Sequence, residues 1–217
     1  MRGMLVKDMR LMMRQKLFFV LLLFLAVMLS FSSDGMFVIS YLTVISTFFV
    51  ISTISYDEHA NGFAFLMTLP VMRKTYVREK YIFGLLLGIS GWGVGVFISL
   101  AYMILHGDTF FLYKFFPQAF ILVPVDILIS AIMIPFQFKF GVEKGRIAIL
   151  IFLGIIFSIG FFLSGYFQGM AAGIMEHLNF LVTLNIGITL LLAFLVSIAV
   201  ACISCVISCH IMCKKEF

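Results

Sequence analysis

Apolar runs free of lysine and arginine recur along the chain at 17 to 33, 36 to 56, 81 to 105, 117 to 138, 147 to 166 and 181 to 209, separated by short polar intervals. About 20 residues of helix are needed to cross a hydrocarbon core roughly 30 Å thick, and each run approaches or exceeds that length. None keeps the strict period of two that a membrane barrel imposes, and continuous apolar stretches favour helices that satisfy their own backbone polar groups. The pattern predicts an all-α membrane protein with six transmembrane helices. Only Ser33 to Gly35 separate the first two runs, so those spans form a tight hairpin.

Composition strengthens this assignment. Of 217 residues, 63% are hydrophobic and 12% charged, whereas soluble domains average roughly 25% charged residues. Residues 1–217 are expected to form one transmembrane domain with no room for a separate soluble one. Charge placement sets the orientation: every lysine and arginine except Lys114 lies before span one, between spans two and three, between spans four and five, or at the C-terminus. The positive-inside rule then puts both termini and the interval 57–80 in the cytoplasm. The net charge of +5 needs no nucleic acid to explain it.

Before span one, Met1, Met4, Leu5, Met9, Met12 and Met13 share one helical face, and Lys7, Arg10 and Arg14 oppose it; Asp8 interrupts the pattern. Residues 1–16 are therefore expected to form an amphipathic interfacial helix, a disordered basic lead-in being the alternative. The segment after the first run offers no small-x-small cleavage pattern, which argues against a secretory signal.

Candidate chemistry is sparse. Cys202, Cys205, Cys209 and Cys213 recur at helical spacing in the last run, where packing explains them better than zinc or redox chemistry. No nucleophile–base pair, H-E-x-x-H or G-x-x-x-x-G-K-[ST] occurs, so no catalytic or metal site is expected and the chain does not bind ATP itself. Asp126 is the only acidic residue placed within a span, between Pro124 and Pro135. It either braces a kink or lines a substrate path. Gly84, Gly88, Gly91 and Gly95, like Gly165, Gly169 and Gly173, have the spacing of close helix contacts, within one chain or between two. Residues 167–180 suit a short outer element.

The interval Asp57 to Lys80 is the longest polar-studded break between spans. Ser55 and Glu58 fit a capping box that would restart a helix there. Phe63, Phe65, Leu66 and Leu69 supply an apolar face, and Pro70 ends that helix and opens the next. A short, partly apolar cytoplasmic helix suits a partner's groove; a loop lying on the membrane is the alternative.

At these residues the chain resembles the type-2 ATP-binding-cassette exporter permeases. The resemblance rests on the order Asp57, Glu58, Gly62, Leu69, Pro70, Arg73, Tyr76, Val77 and Lys80, on the strings 138–141 and 143–146, and on the whole layout. It implies a half-transporter in the bacterial plasma membrane, working as a homodimer or heterodimer. A separate cytoplasmic ATPase would carry ATP and Mg, with no cofactor on this chain. Asp57, Glu58, Asn61, Gly62, Phe65, Leu66, Leu69, Pro70 and Arg73 would form the coupling helix and its flanks, and Glu143, Lys144 and Arg146 a second contact. Span walls rich in Phe, Met and Ile suit an amphipathic or hydrophobic cargo, and relatives of this layout point to a peptide. The contrasting possibility is a membrane scaffold or immunity protein that binds a membrane-active peptide without ATP.

Overall fold

The computed structural model describes residues 2–32, 35–59, 62–68, 72–106, 115–141 and 186–215, and the regular structure among them is helical. The helices are α1 Arg2–Arg14, α2 Lys16–Ser32, α3 Gly35–Glu58, α4 Gly62–Thr68, α5 Arg73–His106, α6 Phe115–Gly141 and α7 Ile186–Lys214. Among the described residues, α3, α5, α6 and α7 are long and apolar enough to cross a membrane, and a fifth crossing arises if α1 and α2, bent by 70°, are one broken span. The expected fifth span 147–166 and the outer element 167–180 lie outside the described residues.

One of two boundaries needs correction. The helix that carries the third apolar run, 81 to 105, begins at Arg73, close to the expected opening after Pro70, because a charged turn remains helical when its side chains find partners within the protein. The capping box does not form: α3 runs unbroken through Glu58, and the Ser55 hydroxyl donates to the Ile51 carbonyl 2.8 Å away. A serine that can bond its own preceding turn does not have to end the helix.

Helix α3 packs extensively against α5, and the glycine stripe explains how. A β-carbon on Gly95 would sit 2.8 Å from the Ile39 Cα, and one on Gly91 2.7 Å from the Leu42 carbonyl. Gly88 lies directly against the Asp126 carboxylate of α6. Gly88, Gly91 and Gly95 thus serve contacts inside this chain, and at Gly91 and Gly95 two backbones approach closely. Leu22, Ala26 and Ser30 form the buried stripe of α2, while most of its other side chains are exposed.

Helix α6 continues through both prolines. Pro135 has no N–H, so the Ala131 carbonyl one turn earlier loses its usual donor. The Ser204 hydroxyl of α7 donates to that carbonyl instead. With its one proton so used, Ser204 accepts from the Tyr81 hydroxyl (2.7 Å), which in turn accepts from Ser208 (2.8 Å). This directed chain ties α5, α6 and α7 together at the place where proline removed a backbone bond.

Candidate functional site

At one end of the bundle the middle of α1 and the ends of α3, α5, α6 and α7 converge near the short helix α4. Lys80, on the second turn of α5, lies at the centre with no exposed surface. Its ammonium has three donors and three oxygen partners: Asp8 of α1, Asp57 of α3 at 2.9 Å and the Thr53 hydroxyl at 3.3 Å. Burying a charge is tolerated when it is paired and hydrogen-bonded in this way. Lys7 pairs with Asp57 and lies 3.2 Å from Asp8. Burial pushes the Lys7 ammonium down, but the Asp57 and Asp8 carboxylates outweigh it and leave its pKa above the ordinary lysine value. Glu79 is also buried, 4.0 Å from Lys80, and its carboxylate finds no hydrogen-bond partner among the described residues.

Aromatic packing connects this cluster to α4. The Tyr76 hydroxyl donates to Asp57 over 2.9 Å. The Tyr76 ring meets Phe63 of α4 edge-on at 5.6 Å and lies 6.0 Å from Phe138 of α6. Phe63 is only 4% exposed, whereas Phe65, on the same short helix, is 69% exposed. Helix α4 therefore has a fastened side and a free side. Its entry is tight as well, since a β-carbon on Gly62 would meet the Asp57 carbonyl at 2.5 Å.

The remaining expected residues divide between inward and outward positions. Glu58 accepts from Lys215 at 3.2 Å and abuts Gly141, whose φ of 72° favours glycine at the end of α6. Lys215 also lies over the Phe63 ring at 5.5 Å. Arg73 Nη1, which has two protons, lies 3.2, 2.9 and 3.0 Å from the carbonyls of Met212, Cys213 and Lys215, so a cation serves acceptors at the C-terminus of α7 that the helix leaves without donors. Leu66 is half-buried against the core. Of the expected docking residues described, Phe65 is the one turned fully outward; Met72, which was not singled out, is exposed beside the start of α5. Asn61, Leu69, Pro70, Glu143, Lys144 and Arg146 lie outside the described residues.

Asp126 stands apart from this cluster, buried within the bundle. Thr47 of α3 faces it and also the Thr43 carbonyl, 2.9 Å away; its single hydroxyl proton serves one of them at a time. With Gly88 on its other side, Asp126 joins α3, α5 and α6. It is not the only acidic residue on a spanning helix, because α3 and α5 extend beyond their apolar runs to include Asp57, Glu58 and Glu79.

The sequence left Asp8, Tyr76, Glu79 and Lys80 unassigned to any buried site. A signal existed for Asp8, the one charge interrupting the apolar face of α1. Met4 and Asp8 turn inward together, whereas Met9 and Met13 are exposed.

Residues 3–213 match the family model described as ABC-2 family transporter protein. Comparison with curated proteins and with solved structures gave no match.

Proposed function

The chain belongs to the ABC-2 family of transporter proteins, whose model spans residues 3–213, and on that premise we propose that it is the six-span permease subunit of an exporter driven by a separate ATPase. The observation that carries the proposal is the two-sided build of α4, with Phe63 buried on the bundle and Phe65 69% exposed. An exposed aromatic on a short, anchored helix suits insertion into a partner's cleft. Force applied at Phe65 reaches the spans through Phe63, Tyr76, Asp57 and Lys80, and so acts on α1, α3 and α5 together. ATP and Mg belong to the partner ATPase. Glu143, Lys144 and Arg146 form a second contact with it.

The permease works as a dimer of identical or related chains in a bacterial plasma membrane, with both termini cytoplasmic. The cluster of cations at the α4 end supports that orientation. The cargo is amphipathic or hydrophobic, a peptide by preference, and Asp126 enters its path when α3 and α6 separate.

Co-purification of the full chain with its ATPase tests the proposal. Phe65→Ala is expected to weaken association by about tenfold or more, the scale of an aromatic anchor, and to lower efflux while the thermal stability of the permease is kept. Association and efflux unchanged by both Phe65→Ala and Phe65→Asp would remove α4 as the docking element. Peptide binding and cell protection that persist without any ATPase would favour the scaffold alternative.

A further inference from the structure

A groove of about 640 Å³ runs between the first turns of α5 and the last three turns of α7. Lys74, Arg78 and His210 supply its polar side, and Cys202, Val206 and Cys209 are among the residues forming its apolar length. Among the described residues no carboxylate lines it and neither Lys74 nor Arg78 makes an ion pair, although neighbouring Arg73 and Lys80 are fully engaged. Cys202 and Cys213 both line the groove and are eleven residues apart on one helix, which corresponds to about 16 Å along the axis. The cationic end lies at the level of α4, and the apolar end reaches into the span.

We propose that this groove binds an anionic phospholipid of the leaflet on the α4 side, with Lys74 and Arg78 holding its phosphodiester headgroup and the α7 stripe around Cys202, Val206 and Cys209 receiving an acyl chain. Charge complementarity selects this occupant. Two cations with no ion pair among the described residues, set above an apolar trough, attract an anion that carries a hydrocarbon tail. A second copy of the chain applied to the same face would bring like charges together. The site is separate from α4 and Phe65, and it requires only that the chain spans a membrane.

The test uses delipidated full-length protein in detergent, titrated with phosphatidylglycerol or with phosphatidylcholine of the same acyl chains. Alkylation of Cys202 and Cys209 by N-ethylmaleimide is followed by mass spectrometry. Phosphatidylglycerol is expected to protect both thiols about tenfold better than phosphatidylcholine, the scale two basic side chains provide beside an anionic headgroup. Lys74→Gln with Arg78→Gln is expected to abolish that difference, while Lys139→Gln, outside the groove, retains it. Val206→Trp fills the trough without touching the charges and is expected to displace bound phosphatidylglycerol in native mass spectra, so the proposal is tested even if the double variant does not fold. Equal protection by the two lipids overturns it. So does protection that follows protein concentration instead of lipid, because a second copy then covers the groove.

Discussion

The buried ammonium of Lys80 is paired with the buried carboxylate of Asp8, seventy-two positions away in sequence. The pair holds α1 against α5 at the end of the bundle that carries α4. Removing one partner leaves the largely buried cluster of Lys7, Asp8, Asp57 and Lys80 with an unbalanced charge, a change that costs up to about 3–5 kcal/mol. Asp8→Ala and Lys80→Ala are each expected to lower thermal stability in detergent by that amount. Asp8→Leu with Lys80→Met is expected to recover much of the loss, because it removes both charges and keeps apolar volume. A double variant as unstable as the sum of the two single ones would show that the pair does not act as a unit.

Phe63 and Phe65 provide a contrast on one seven-residue helix. Phe63 packs on Tyr76 and underlies Lys215, so Phe63→Ala is expected to loosen α4 and speed amide exchange across residues 62–68 while the long helices stay protected. Phe65→Ala is expected to leave exchange unchanged, because its ring is mainly exposed. A reversed pattern, with α4 loosened by the Phe65 change alone, would contradict the fastened-side and free-side assignment.

The existence of the long helices was legible in the sequence because lipid burial demands continuous apolar runs, and 36–56, 81–105 and 117–138 each fall inside an observed helix. Which charges on their ends turn inward was not. Apolar counting stops at the first charge, yet Glu79 and Lys80 continue α5, since Lys80 finds its partners on α1 and α3. The same pairing explains why Asp57, grouped in sequence as a docking residue, turns inward, and carbonyls at the end of α7 do the same for Arg73. A polar string shows that charges cluster, but only tertiary contacts from residues 8 and 212–215 show which of them are already engaged.

The glycines of α5 are not interchangeable. At Gly95 a β-carbon would meet the Ile39 Cα at 2.8 Å, and backbone cannot swing aside. Gly95→Ala is expected to lower stability by about 1–3 kcal/mol through overpacking of α3. At Gly93 nothing among the described residues lies within 4 Å of that position, so Gly93→Ala is expected to be neutral or to stabilise by about 0.5–1 kcal/mol through helix propensity. Thermal unfolding of the two variants side by side checks the contrast, and equal effects would show that the stripe is not set by the α3–α5 contact.

Ser204 and Pro135 should be coupled although neither is charged. Ser204→Ala leaves the Ala131 carbonyl without a donor inside the bundle, and an orphaned buried acceptor costs about 1–3 kcal/mol. In Pro135→Ala the restored N–H of residue 135 reaches that carbonyl directly, so the serine becomes dispensable. A double-mutant cycle is therefore expected to give a smaller loss for Ser204→Ala in the Pro135→Ala background than in the natural chain, with a coupling of about 0.6–2 kcal/mol, the range for interhelical hydrogen bonds in membranes. Tyr81→Phe breaks the same chain one step earlier but leaves Ser204 bonded to Ala131, and it should show little coupling to Pro135. Additive losses for Ser204 and Pro135 would mean that the hydroxyl merely fills space, and that α6 tolerates its proline without help from α7.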